Sequence, residues 1–350
     1  MTFRQWRVID GDGHIIENPA EIVQFLDAPY TGLDTVFSLF PSLDGRVRGR
    51  YGFKPTTLQI WRDCLEGTGI DEAVIYPTLG LSIGLIQDLE WAAVLARAYN
   101  RWLAETYLAP EPRLRGVALL PSQDVSAAVE ELERAAALPG MVGGLLPSVT
   151  YFKMPLGDER FEPLWAAAER LGMPIAIHGG PQAGLDLEAL PRQIEAHTAA
   201  HPFPLMIQFI SMIYNGVFHR HPRLHVAYLE AGAGWVPYLM DRMDYEAEAR
   251  PQEWAFAEPP SAVIRGGRIF VSFEPEERVL PAVIDMLGAG QILYASDFPH
   301  ELGSGYDAYT EDLEEFTERP DVSDEAKRLI LADNALRFYR VPAAVASEGR

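Results

Sequence analysis

The sequence predicts an α/β fold, a distorted (β/α)8 TIM barrel with insertions over its C-terminal mouth. Eight apolar, β-branched runs recur along its 350 residues, and amphipathic helical stretches separate them. The runs are continuous rather than alternating, as expected for strands covered on both faces. One barrel of about 250 residues plus insertions accounts for the length, so the chain reads as a single domain, 1–350. An open doubly wound sheet is the structural alternative. It calls for a G-x-G-x-x-G phosphate loop after the first strand, and none occurs there.

The elements follow in order. The first strand is predicted over 7–15. The segment 18–57 comes next, so in a barrel it lies over the mouth; Pro19, Pro29, Pro41 and Pro55 mark it as a lid. Cys64 falls in an apolar helical pattern and reads as a buried, inert thiol. A second strand is expected at 72–78 and a helix at 88–108, where Leu, Trp, Ala and Tyr recur at helical spacing. Strands at 115–121 and 141–148 flank a helix over 124–138 that starts at a capping Asp124. A helix over 161–171 stops at Gly172. Strands at 174–180, 225–231, 268–275 and 292–300 complete the set. Helices at 204–220, 235–248 and 279–287 stand between them, 182–202 forms a second lid, and 342–350 is a frayed tail.

Acidic residues number 50 against 29 basic ones, a net charge of −21. A chain this acidic repels nucleic acid and anionic membranes. The single cysteine excludes an intrachain disulfide framework and a Cys-based zinc site. No apolar leader and no run of about 18 apolar residues is present, so a soluble, cytoplasmic protein is expected.

The informative polar residues stand at strand ends. The first strand ends in Asp10, Asp12 and His14, the fifth in His178, the sixth in Glu230, and the eighth in Asp297 and His300. Residues two apart on a strand point the same way, so Asp10, Asp12 and His14 are expected on one face, with Gly11 and Gly13 on the other. In a barrel such groups converge at the mouth. Carboxylates and imidazoles gathered there without a counter-charge would be prohibitively costly; a divalent cation is the natural partner. His197 and His201 lie four apart and, on a helix, share one face that reaches the mouth. His219, His221 and His225 precede the sixth strand and belong at the barrel bottom.

At these residues the sequence resembles the amidohydrolase superfamily, in its aminocarboxymuconate-semialdehyde-decarboxylase-like branch. The resemblance rests on VIDGDGHIIE at 8–17, PIAIHGG at 174–180, HPRLHVAYLEAGAGWVPYLMDRMD at 221–244, ILYASDFPH at 292–300 and ADNALRFY at 332–339. It implies a distorted barrel with metal at the mouth, held by Asp12, His14, His178 and Asp297. Two positions depart from the family pattern. The first-strand pair is Asp12-x-His14 where His-x-His is usual, and Glu230 stands where the decarboxylase branch has a His. A site with Asp12, Asp297 and Glu230 beside His14 and His178 is harder and more anionic than a three-His site. One or two divalent ions are therefore expected (Fe, Mn or Zn), with Glu230 a further ligand or a base.

The leading expectation from these departures is hydrolysis of an amide, ester or acyl thioester such as an acyl-CoA. A metal-activated water would attack the carbonyl, with Asp297 taking its proton and His300, Glu230 and His201 assisting. Non-oxidative decarboxylation of an aromatic or unsaturated acid is the alternative. The basic run holding Arg46, Arg48 and Arg50 lies in the first lid and is expected to dock an anionic substrate group. Aromatic residues of the mouth segments, among them Phe40, Phe203 and Tyr306, supply an apolar part of the pocket. The partner is thus a small, anionic molecule with an apolar portion, and the enzyme is expected to be a homodimer.

Overall fold

The computed structural model describes residues 5–33, 39–43, 54–150, 153–181, 183–185, 187–300 and 305–341. Eight strands form one parallel sheet in chain order: β1 (Ile9–Ile15), β2 (Glu72–Pro77), β3 (Leu114–Leu119), β4 (Met141–Pro147), β5 (Ile175–His178), β6 (Val226–Leu229), β7 (Ile269–Ser272) and β8 (Ile292–Leu293). The ring closes through backbone bonds between β1 and the chain just after β8. Gly11 N–H donates to Tyr294 O (2.8 Å), Asp297 N–H to Asp12 O (3.2 Å) and His14 N–H to Phe298 O (2.5 Å).

The helices are α1 (Pro19–Ile22), α2 (Leu58–Thr68), α3 (Leu89–Leu103), α4 (Val125–Ala135), α5 (Glu162–Leu171), α6 (Gln193–Ala200), α7 (Pro202–Tyr214), α8 (Val217–Arg220), α9 (Trp235–Ala249), α10 (Pro260–Ile264), α11 (Leu280–Leu287), α12 (Tyr306–Glu318), α13 (Asp324–Arg328) and α14 (Asn334–Phe338). None is long and apolar enough to cross a membrane. Caps set many of their ends. The Asp88 carboxylate accepts from Trp91 N–H at the start of α3, and Asp124 accepts from Ser126 and Ala127 N–H at the start of α4. Gly172 ends α5 in the left-handed region. One apolar core runs from the barrel strands into the helix layer; Trp61, Tyr99, Trp102 and Trp165 are fully buried in it. Cys64 is buried there as well, and burial pushes its thiol up to about 12, which leaves it inert.

Several expected boundaries shift for local reasons. The helix expected over 204–220 is two helices, because Gly216 at φ 70 breaks it after α7. The eighth strand pairs over two residues only. Beyond it Tyr294 N–H turns to Ile330 O, and Asp297 adopts φ 53, which ends the ladder. The second lid contains α6, the helix considered for the stretch holding His197, and packs Leu187, Ala199 and Ala200 in a small core of its own. In the first lid, Leu39 and Phe40 join the main core, and Thr56 is tied to Ile16 by Ile16 N–H to Oγ1 (3.0 Å) and Thr56 N–H to Ile16 O (2.9 Å).

Candidate metal centre and active site

The site is built from β1 outward. Pairing with β2 runs from Asp10↔Ala73 to Gly13↔Ile75, three steps on β1 against two on β2. This bulge breaks the strict alternation expected for Asp10, Asp12 and His14. A Cβ on Gly13 would lie 2.7 Å from Asp10 Oδ2 and 2.5 Å from the Trp61 ring, so Asp10 and Gly13 share a side and only glycine fits there. The Asp10 carboxylate accepts instead from Ser296 Oγ (2.5 Å), Ser296 N–H (3.0 Å) and Asp12 N–H (3.1 Å). It buttresses the seam between β1 and the post-β8 turn rather than joining the mouth cluster.

Asp12, His14 and His178 converge as buried neighbours, and His14, Asp297 and His300 form a second group around the same imidazole. His14 Nδ1 faces Pro77 O at 3.1 Å, so it carries the proton and Nε2 presents a lone pair. Nε2 then looks at two carboxylate oxygens, Asp12 Oδ1 at 3.6 Å and Asp297 Oδ1 at 3.5 Å. It is buried with no hydrogen-bond partner. Burial, with His300 and His178 close by, holds His14 well below the usual histidine range despite Asp297, so it stays neutral. A lone pair aimed at two anions is repulsive unless a cation lies between them, and this geometry fits a divalent ion.

His178 repeats the pattern. Its Nδ1 donates to Gly179 O at 2.7 Å, and its Nε2 lies 3.2 Å from Asp12 Oδ1. Burial opposes protonation, but the Asp12 and Glu230 carboxylates overcome it and raise His178 to about 9. Asp12 itself is raised to about 6 by burial, in spite of His178. His300 Nδ1 pairs with Asp297 Oδ1 at 2.6 Å, and its Nε2 lies 2.9 Å from Thr78 Oγ1. Burial would lower His300 and raise Asp297; their mutual attraction wins and sets them at about 9 and about 2.

Glu230 stands on the other side of His178. Its Oε2 is 3.3 Å from Nδ1, the nitrogen turned away from Asp12, and its Oε1 is 3.8 Å from His201 Nδ1. Burial and the Asp297 charge raise its pKa. Both Glu230 (φ 61) and Asp297 (φ 53) hold left-handed backbone, strain of a kind retained at functional sites. His201 is pushed down to about 4 by burial and by His178, and its ring packs edge-on against His197 at 4.8 Å. Arg46, Arg48 and Arg50 lie outside the described residues. His219 and His221 sit away from the mouth, paired with Glu258 and Glu162 (2.9 Å each).

Two mouth residues escaped the sequence reading. Thr78 follows β2 and holds His300. Glu274 follows β7; desolvation and then the charges of Asp297, Glu276 and Glu230 push it up to about 8. Both obey the strand-end rule that singled out His178 and Asp297, but their strands carried no recognisable motif.

Known proteins bear on the chemistry. The chain is 27% identical over 266 residues to 2-amino-3-carboxymuconate-6-semialdehyde decarboxylase of Dictyostelium discoideum, covering 75% of this chain and 71% of that one. It is 28% identical over 257 residues to gamma-resorcylate decarboxylase of Rhodococcus jostii, covering 66% and 74%. In structure it resembles the dihydroxybenzoic acid decarboxylase of Polaromonas sp. JS666, solved with manganese and 2-nitroresorcinol. The TM-score there is 0.71 at 21% identity, over 97% of this chain and 98% of that one. These relatives overturn the hydrolase expectation, and the amide, ester and acyl-thioester substrates with it. Glu230 in place of a sixth-strand His weighed against decarboxylation, yet the chain's relatives are decarboxylases. Residues 79–341 match the amidohydrolase family, three-quarters of the chain, and the protein belongs to that family.

Proposed function

We propose that this protein is a metal-dependent, non-oxidative decarboxylase of a small aromatic or unsaturated carboxylic acid. The carrying observation is the neutral His14 Nε2 held between Asp12 and Asp297. Asp12, His14, His178 and Asp297 would hold one divalent ion, with manganese suited to so anionic a ligand set. When bound, that ion supplies a positive field for the substrate carboxylate and for the charge that develops on carbon as CO2 leaves.

The chain's own residues handle the proton. Decarboxylation replaces the C–COO⁻ bond with C–H, so one proton must reach the carbon as CO2 departs. The His300–Asp297 pair holds that proton at Nδ1 of His300, while Thr78 fixes the ring from its other nitrogen. Glu230 is assigned a positioning role: it grips His178 Nδ1, fixing the tautomer that turns Nε2 towards Asp12.

The test is CO2 release. Protein loaded with Mn(II) is expected to release CO2 from gamma-resorcylate or a related hydroxybenzoate, and to stop on chelation. If a panel of aromatic and unsaturated acids yields no CO2 above the uncatalysed rate with Mn(II), Zn(II) or Fe(II), the reading fails.

A further inference from the structure

A cavity of about 610 Å³ opens at the barrel mouth, one strand away from His178. The loops after β2, β4 and β5 and the first turns of α7 line it. Its floor is bonded to the metal centre's own strand, because Ser148 N–H donates to His178 O at 3.0 Å. Leu85, Met154, Pro155, Leu185, Pro204 and Ile207 make most of the wall apolar.

The polar groups in that wall divide in two. Gln208 and Thr150 are committed to the backbone. Gln208 bridges Ser148 O and Leu156 N–H at 2.8 Å each, and Thr150 Oγ1 accepts from Met154 N–H at 3.3 Å. Ser148 Oγ is different: the residue is 2% exposed, and the hydroxyl has no hydrogen-bond partner. Lys153 is different too. It is exposed and forms no ion pair among the described residues. Its backbone sits at φ 50, in the left-handed region, pinned by Lys153 N–H to Thr150 O at 3.1 Å. An unsatisfied buried hydroxyl is costly, and strained backbone at a non-glycine residue persists only where its surroundings impose it. In a chain of net charge −21, a cation at the rim of an apolar cavity is a selective feature.

We propose that this cavity is a second subsite of the reaction centre. It takes an apolar arm of the substrate that ends in an anionic group, with Lys153 as the counter-charge and Ser148 Oγ as a hydrogen-bond partner in the wall. Assigning the arm to the substrate rests on the decarboxylase reading; the binding preference does not. The substrate class is then an acid whose reacting carboxylate lies at the metal and whose remote end carries a second negative charge.

Two fluorescent probes test the preference on the full chain: anilinonaphthalene sulfonate and phenylnaphthylamine, which has the same rings without the sulfonate. The sulfonate is expected to bind more tightly to wild type. Lys153→Met should weaken it roughly tenfold, about 1.4 kcal/mol, and leave the neutral probe unchanged. Ile207→Trp should weaken both by filling the cavity. Equal affinities in wild type, a sulfonate preference that survives Lys153→Met, or indifference to Ile207→Trp would each overturn the subsite. The link to the centre is read with Mn(II)-loaded protein and phenylazosalicylate, a salicylate head with an apolar arm, which should displace the sulfonate probe. If the probe stays bound at saturating phenylazosalicylate, the cavity does not belong to the reaction centre. None of these measurements needs turnover, so a lack of CO2 release from wild type would fall on the decarboxylase reading alone.

Discussion

At the residue scale, the site turns on which nitrogen of each imidazole faces which carboxylate. His178 offers Nε2 to Asp12 and Nδ1 to Glu230 and Gly179 O, which separates a ligand from the group that orients it. Glu230→Gln is therefore expected to keep its metal and lose about 10- to 100-fold in kcat, the range typical of groups that orient ligands. Glu230→Asp should recover part of the loss. Two ions per wild-type chain, falling to one in Glu230→Gln, would make Glu230 a ligand and sink the positioning role. The sequence identified the strand-end residues because barrel geometry alone brings strand ends together. It misassigned Asp10 because alternation assumes an unbulged strand, and the extra residue in β1 is specified by Trp61 and Ser296, which are distant in sequence.

At the scale of elements, the strands were legible because parallel barrel strands are buried on both faces and read as unbroken apolar runs. α12, α13 and α14, although ADNALRFY at 332–339 carried part of the family resemblance, went unassigned as helices beyond the eighth strand. The metal motif ends there, but the core does not: Leu313, Ile330 and Phe338 are fully buried. Charged ties between elements are invisible to periodicity. Glu111, just before β3, accepts from Arg113 Nε at 2.8 Å and from Arg62 Nε of α2 at 3.1 Å. The hydrogen bond from Arg113, reinforced by Arg62, pulls its carboxyl from 4.5 to about 2. A carboxyl depressed in the folded state stabilises above its unfolded pKa, and that contribution drains away as pH falls through the folded value. Glu111→Gln should thus cost about 1 kcal/mol at pH 7. The gap from wild type should close between about pH 4.5 and pH 2. Urea unfolding of both proteins across that range checks it; a gap that is constant with pH would remove the ion pairs from the account.

At the scale of the whole molecule, the weakest join in the barrel and the candidate metal centre coincide. β8 contributes only two paired residues, and the ring is completed by a few backbone bonds between β1 and the turn after β8. Asp12 and His14 stand on one side of that seam, Asp297 and His300 on the other, and His178 faces them from β5. Without a cation, burial first and then the repulsion among the Asp12, Asp297 and Glu230 carboxylates across the seam push up the pKa of Asp12 and Glu230. With one, the same groups become ligands that bridge it, so occupancy and closure are thermodynamically linked. A ligand at one hundred times its Kd stabilises the folded state by about 2.7 kcal/mol if the unfolded chain does not bind it. For a domain of this size that corresponds to a Tm rise of about 4 °C. Mn(II) should produce that rise in wild type, EDTA should reverse it, and His178→Ala should abolish it. Hydrogen exchange should slow most over 9–15 and 292–298, the two sides of the seam, and little over α4 and α5 on the far side of the barrel. A Tm rise with uniform protection would mean that the ion stabilises the fold without closing the seam. No rise in wild type at one hundred times the Kd would mean that the ion does not favour the folded state, and the link between occupancy and closure would fall.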